Sequence, residues 1–380
     1  MKNNIIRLLL LSGVIAGFSA CVNGSQKELA QERTRYEFGN ILDIEITPDS
    51  TTRRVGCFTD AGSWMGFTIP QQDKWVNGFC GPFSIDHRIW FAQSAVVAGL
   101  IGETSEMTPD STSYFPGEVY MSSVSADAKI GQRMNFIDSS TALLQVETNS
   151  EKGLCFTGKQ WSGSVKLEVE RNVLTARHQD GEIITLTFDS DITLSCDGKN
   201  YIAQTQPGCK KTDVAISFFV SEKELPAYEQ RVQSLLHNPS QELQANADRW
   251  NGYLQKILRT DMKPEYDRIA VKSIVTLISN WRTHREGLLH EGVIPSHAVG
   301  YFVGFWAWDS WRFSAALAGF APELAKNNIR AMFDYQTSEG MIIDCIYTDK
   351  KENNERNSKP PLAAWAVSEI YKATLDADFV

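Results

Sequence analysis

Gly304-Phe305-Trp306-Ala307-Trp308-Asp309-Ser310-Trp311-Arg312 places three tryptophans and one aspartate within nine residues. An indole ring is costly to keep in water and often too large to bury completely. So dense a run reads as an aromatic floor, with Phe305, Trp306, Trp308 and Trp311 around a carboxyl group. Flat rings suit the C–H faces of sugars. A carboxyl among aromatics loses hydration, which disfavours its charged form and raises its pKa. A general acid needs that shift to hold its proton near neutral pH. Asp309 also opens an expected helix over 309–320, where the positive end of the helix dipole favours the anion. The sign of its shift is therefore open. So is a purely structural reading, with Asp309 as an N-cap and the tryptophans as core.

Residues 278–380 resemble glycoside hydrolase family 63, in particular its bacterial α-glucosidase-like and mannosylglycerate hydrolase-like members. The resemblance is carried by Ile278-Ser279-Asn280-Trp281-Arg282, Trp306-Ala307-Trp308-Asp309-Ser310-Trp311, Ala325-Lys326-Asn327-Asn328-Ile329-Arg330-Ala331 and the run from Asn354 to Trp365. It implies an (α/α)6 barrel, hydrolysis of α-linked glucosides or related oligosaccharides with inversion, and Asp309 as the general acid. It places Trp281 at the border of the site. It also implies a sandwich domain beside the barrel, which makes Trp64, within Gly62-Ser63-Trp64-Met65-Gly66-Phe67, a candidate for the pocket wall. Inversion needs a second carboxylate about 6.5–9.5 Å from the acid. In the family that base is a Glu far downstream, and neither Asp344 nor Glu355 occupies its motif. The expectation is thus a half barrel without its base. A catalytically inactive carbohydrate-binding remnant and a structural surface lipoprotein are the competing readings.

Downstream of the aromatic run, Asn353-Asn354-Glu355-Arg356-Asn357-Ser358-Lys359-Pro360-Pro361 packs donors and acceptors ahead of a helix over 362–374. Asn357 and Lys359 are the expected contacts to sugar hydroxyls. Glu355 and Arg356 read equally well as an ion pair. Upstream, 283–303 is a long loop with His284, His290 and His297. No pair has helical i, i+4 spacing, so solvated histidines are expected and no metal site. No cofactor is required for the reaction. The abundant Asp and Asn leave a structural Ca2+ open, although no EF-hand loop is present.

Further upstream the texture divides. Residues 36–222 carry short alternating runs at 41–46, 164–170 and 183–188, with Asp180-Gly181 as a hairpin signal. The apolar run at 215–220, interrupted only by Ser217, suits a strand buried on both faces. Together these predict a β-sandwich. Residues 223–260 read as linker helices, with Ser240 as a cap, and 261–380 as the partial barrel, with a helix over 261–282. After about residue 250 there is room for about five or six helices.

Residues 1–21 read as an export signal ending in Phe18-Ser19-Ala20-Cys21, which resembles a lipobox, followed by a polar linker at 22–35. Cys21 would carry the lipid that holds the protein to the cell envelope. Six cysteines remain, and Cys196 and Cys209 are spaced to bridge a hairpin. The net charge of -9 argues against a nucleic-acid partner, while neutral sugars need no strong field.

Overall fold

The apolar run at 215–220 falls in the strand Lys211–Phe219, buried at every position after Lys211. The computed structural model describes residues 33–49, 51–52, 55–103, 107–189, 191–356 and 360–380. The export signal, Cys21, Asn357 and Lys359 lie outside these residues. Lys211–Phe219 joins two antiparallel meanders into one eight-stranded sheet. Thr141–Thr148, Lys129–Phe136, Glu118–Val124 and Thr108–Phe115 lie on one side of it. Ile183–Phe188, Val173–His178 and Val165–Glu170 lie on the other. The outer face of this sheet is covered by α1 (Leu225–His237), whose Val232 and Leu235 meet Leu143 and Ala215. With both faces dry, an unpaired polar group would be costly; the run is apolar except at Ser217, whose hydroxyl pairs with that of Thr141 at 3.0 Å.

The second sheet has seven strands. Met65–Thr68, Cys80–Ser84, Ala92–Leu100, Leu154–Trp161, Tyr201–Gln204 and Thr193–Cys196 follow one another across it, with Ile89–Trp90 paired beside Cys80–Ser84. Rings from the two sheets meet in the core, as at Phe156 and Phe188, 5.8 Å apart.

Among the described residues five further α-helices follow: α2 (Ser240–Ile257), α3 (Asp267–Ser279), α4 (Ala307–Leu317), α5 (Pro322–Phe333) and α6 (Ala363–Thr374). Residues 33–380 form one compact unit, and one buried apolar cluster runs from Phe38 in the sandwich to Ile370 in α6. The fold is thus mixed α and β with two large sheets. Asp60, 1% exposed, fastens α2 to the sandwich: its Oδ2 accepts from Arg249 at 2.6 Å and from Trp250 Nε1 at 2.8 Å. Gly117 (φ +77) makes room for that indole, since a Cβ there would lie 2.0 Å from Trp250 Nε1.

Several local expectations give way to packing. Residues 41–46 form no strand; Glu45 alone bridges Ile69, while Ile41 and Ile44 are buried as core. Ser240 is the first residue of α2 rather than its cap, which is Pro239. Cys196 and Cys209 are free thiols, as are Cys57, Cys80, Cys155 and Cys345. Helix α3 stops at Ser279, and Trp281–Arg282 pairs instead with Gly292–Val293. Arg282 is fully buried, where its guanidinium donates to the carbonyls of Ser279 and Trp281. It thereby satisfies orphan groups at the end of α3.

His297 is 8% exposed rather than solvated. Its Nδ1 meets Asn280 Oδ1 at 3.0 Å, and its Nε2 accepts from the Cys57 amide at 3.3 Å. Burial first, then the nearby Arg282 charge, hold it down to about 3 from an ordinary 6.5. Between those values the unfolded chain binds a proton that the native state does not. Its contribution is therefore complete above pH 6.5 and is lost as pH falls, by up to about 1.4 kcal/mol per pH unit. Urea unfolding from about pH 7 to about pH 4 should show a shallower slope for His297→Gln than for the parent chain. Equal slopes would remove His297 from the account.

Candidate functional site

The aromatic run changes conformation at its middle. Phe305–Trp306 is a strand paired antiparallel with Cys345–Ile346, and α4 begins at Ala307. Gly304 lets this ribbon close, because a Cβ there would stand 2.4 Å from the Ile346 carbonyl. The Ala307 amide donates to the Asp344 carbonyl at 2.9 Å, so the first turn of α4 is anchored to the ribbon. Asp309 lies in that first turn, half-buried, at the positive end of the helix.

Strand and helix periods sort the aromatic residues. Phe305 and Trp306 are neighbours in a strand and point to opposite faces. Phe305 is fully buried, whereas Trp306 is half-exposed. In α4 the buried stripe is Ala307, Ser310, Trp311, Ser314 and Leu317. Trp308 and Asp309 fall off it. Trp311 is 3% exposed and packs on Phe333 with ring centroids 6.1 Å apart. Phe305 and Trp311 therefore support the floor from beneath and offer no face to a ligand. Trp306 and Trp308 keep half-exposed rings, and the Arg312 guanidinium lies 5.7 Å from the Trp308 ring centre.

Tyr301 and Phe302 extend the floor and were missed in the sequence. Their rings lie 6.4 and 5.2 Å from that of Trp306. The Tyr301 carbonyl accepts from Trp306 Nε1 at 3.3 Å and from the Tyr347 hydroxyl at 2.8 Å. The signal was available: the aromatic residues run on upstream from Phe305 across Gly304 and Val303.

Trp281 is half-buried and donates to Glu291 Oε2 at 2.9 Å. Glu291 Oε1 in turn accepts from Asn327 Nδ2 of α5 at 2.8 Å. Trp64 stands elsewhere. It is 4% exposed, donates to the Thr283 carbonyl at 3.1 Å, and has Arg282 and Arg285 at 6.0 and 5.6 Å from its ring centre. It is sealed at the junction of sandwich and helices and lines no open wall. The run at 353–356 completes the ribbon: Asn354 bridges Cys345, and Asn353 Oδ1 accepts from the Tyr347 amide at 2.8 Å. Arg356 lies 3.9 Å from the buried carboxylate of Asp344.

Among the described residues, one group has the donors for a metal. His87, Asp180 and Glu182 offer ligand atoms within 4.8 Å of one another. These groups are already joined as ion pairs, since His87 Nδ1 lies 3.3 Å and Arg285 Nη2 lies 3.2 Å from Glu182 Oε1. Hydrogen bonding to Glu182, opposed by burial, raises His87 to about 8. The cluster ties the sandwich to the loop carrying Arg285.

Residues 303–380 match the family described as the mannosylglycerate hydrolase MGH1-like glycoside hydrolase domain. The structure is similar to that of a family GH92 inverting mannosidase from Bacteroides thetaiotaomicron, at 10% identity and a TM-score of 0.53, over 88% of this chain and 49% of that one. A GH92 α-mannosidase from the same organism aligns at 11% identity and a TM-score of 0.49, over 88% and 56%. The chain thus spans about half the length of these solved structures. The segment that carries Asp309 is glycoside-hydrolase-like, and the fold is similar to that of the GH92 inverting mannosidase.

Proposed function

We propose that the protein carrying this sequence is an inverting α-glycosidase related to family 63, acting on α-mannosides or α-glucosides of oligosaccharide size. In this reading 261–380 contribute helices to an (α/α)6 barrel. The observation that carries it is Asp309: a half-buried carboxyl in the first turn of α4, beside the half-exposed rings of Trp306 and Trp308, inside the hydrolase-like segment. Asp309 protonates the glycosidic oxygen as the bond to the anomeric carbon breaks. The indole faces hold the sugar's C–H surface and exclude water from one side. Water enters from the opposite face of the ring, activated by a second carboxylate. Asp344 is not given that role, because it is 1% exposed.

The test is the first anomer released from a 4-nitrophenyl α-mannoside or α-glucoside, followed by proton NMR. Release of the β-anomer first is the expected result. Release of the α-anomer first would overturn inversion. Absence of hydrolysis together with retained oligosaccharide binding would favour a carbohydrate-binding remnant over the enzyme.

A further inference from the structure

A groove on the outside of the seven-stranded sheet has the chemistry of a second sugar site. It comprises two adjoining hollows of about 490 and 580 Å³, which share Pro48, Asp49, Gln93 and Gln160. Trp90 lines the first and Trp75 the second. Both rings are half-buried, and the Nε1 of each is buried without a hydrogen-bond partner. Gln93 donates from Nε2 to the Pro48 carbonyl at 3.1 Å, while its buried Oε1 has no partner. Asp49 accepts from Thr51 and Thr52 at Oδ1 and is held down at about 2 by those bonds, so it presents an anionic acceptor. Buried polar atoms are nearly always paired in folded proteins. Two orphan donors and one orphan acceptor therefore belong to side chains that line a single groove, unusual hydrogen-bonding capacity left unused in one place. Sugar hydroxyls donate and accept at once, and the indole faces suit the C–H side of a pyranose.

The backbone opens this groove at a cost. Gln160 has φ +50, and the pairing of Ala92–Leu100 with Leu154–Trp161 slips between Ser94 and Val97. Left-handed backbone at a non-glycine residue is strained and gathers at binding sites. One side chain of the groove's lining reaches the segment that precedes the aromatic floor. Arg88 lines it and packs against Gly300, where an added Cβ would stand 3.4 Å from the guanidinium carbon. The next residue, Tyr301, is 62% exposed and joins the Trp306 floor.

We propose that the Trp75–Trp90–Gln93 groove is a distal subsite that holds the far end of the oligosaccharide whose scissile end lies at Asp309. The placement at the far end of the same chain rests on the Asp309 reading; the sugar-binding chemistry of the groove does not. The occupant is a neutral oligosaccharide, because the charged lining is mixed in sign, with Asp49 and Asp73 against Arg88, Lys74 and Lys159, and the unpaired Trp75, Trp90 and Gln93 groups are indole and amide.

The experiment measures binding of mannose, α-mannotetraose, glucose and maltotetraose by calorimetry, in the Asp309→Asn chain to prevent turnover. A tetrasaccharide should bind at least about tenfold more tightly than its monosaccharide. Trp90→Phe keeps an aromatic ring next to Phe83, whose ring lies 4.9 Å from that of Trp90, while removing the N–H. Trp90→Phe with Gln93→Ala should weaken tetrasaccharide binding by about fivefold or more and leave monosaccharide binding unchanged. Unchanged tetrasaccharide affinity in that double variant, with an unaltered melting temperature, would overturn the subsite. Tetrasaccharide binding that needs Trp90 and Gln93, in a protein without hydrolytic activity, would keep the groove and sink the Asp309 reading. Hydrolysis with the same KM for a tetrasaccharide in parent and double variant would do the reverse.

Discussion

Asp309→Asn should lower kcat for an α-linked disaccharide by about 10²- to 10⁴-fold, the range that a positioned proton donor supplies. Asparagine keeps the size and the first-turn position of Asp309 in α4, so the floor of Trp306 and Trp308 should persist. Sugar affinity, read from tryptophan fluorescence, should therefore change by no more than about threefold. The loss should shrink with a 2,4-dinitrophenyl glycoside, whose phenolate departs without a proton. That dependence on leaving group separates a proton donor from a residue that only shapes the site. A uniform loss with both substrates would assign Asp309 to positioning, and full activity would remove it from the chemistry.

The largest stability effect is expected at Asp60, far from Asp309 in sequence. Asp60→Ala strips the buried partner from Arg249 and the acceptor from Trp250 Nε1. Removing one member of a buried pair leaves an uncompensated charge, and the loss is about 3–5 kcal/mol. Urea denaturation reads it directly. Adding Arg249→Ala should cost less than the two single losses summed, because no lone guanidinium then remains. Additive losses would show that the pair is not what fastens α2 to the sandwich.

Much of the secondary structure was legible because its causes are local. Asp180-Gly181 sits between Val173–His178 and Ile183–Phe188, where Gly181 takes φ +99. The helix expected over 362–374 is Ala363–Thr374. Helix and strand periods and turn residues set backbone dihedrals within a few positions. Residues 41–46 show the limit. Their alternation is that of a strand, yet they form only the single bridge from Glu45 to Ile69, and Ile41 and Ile44 are the buried pair. Residues 41 and 44 are three apart rather than two, so burial here follows the neighbouring core and not a strand period.

The sequence determined that an acid stands among tryptophans at 304–312, and that many short strands precede a helical segment. The tertiary structure alone decided which rings remain open. It put Phe305, Trp311 and Trp64 into the core, left Trp306 and Trp308 half-exposed, and buried Arg282 and His297 against helix ends and backbone. It also drew Asp49, Trp75, Trp90, Gln93 and Gln160 to one groove from separate stretches of chain. Composition and period fix what a segment prefers locally. Exposure depends on which distant surface a segment meets, and that is settled only when the sheets and helices pack.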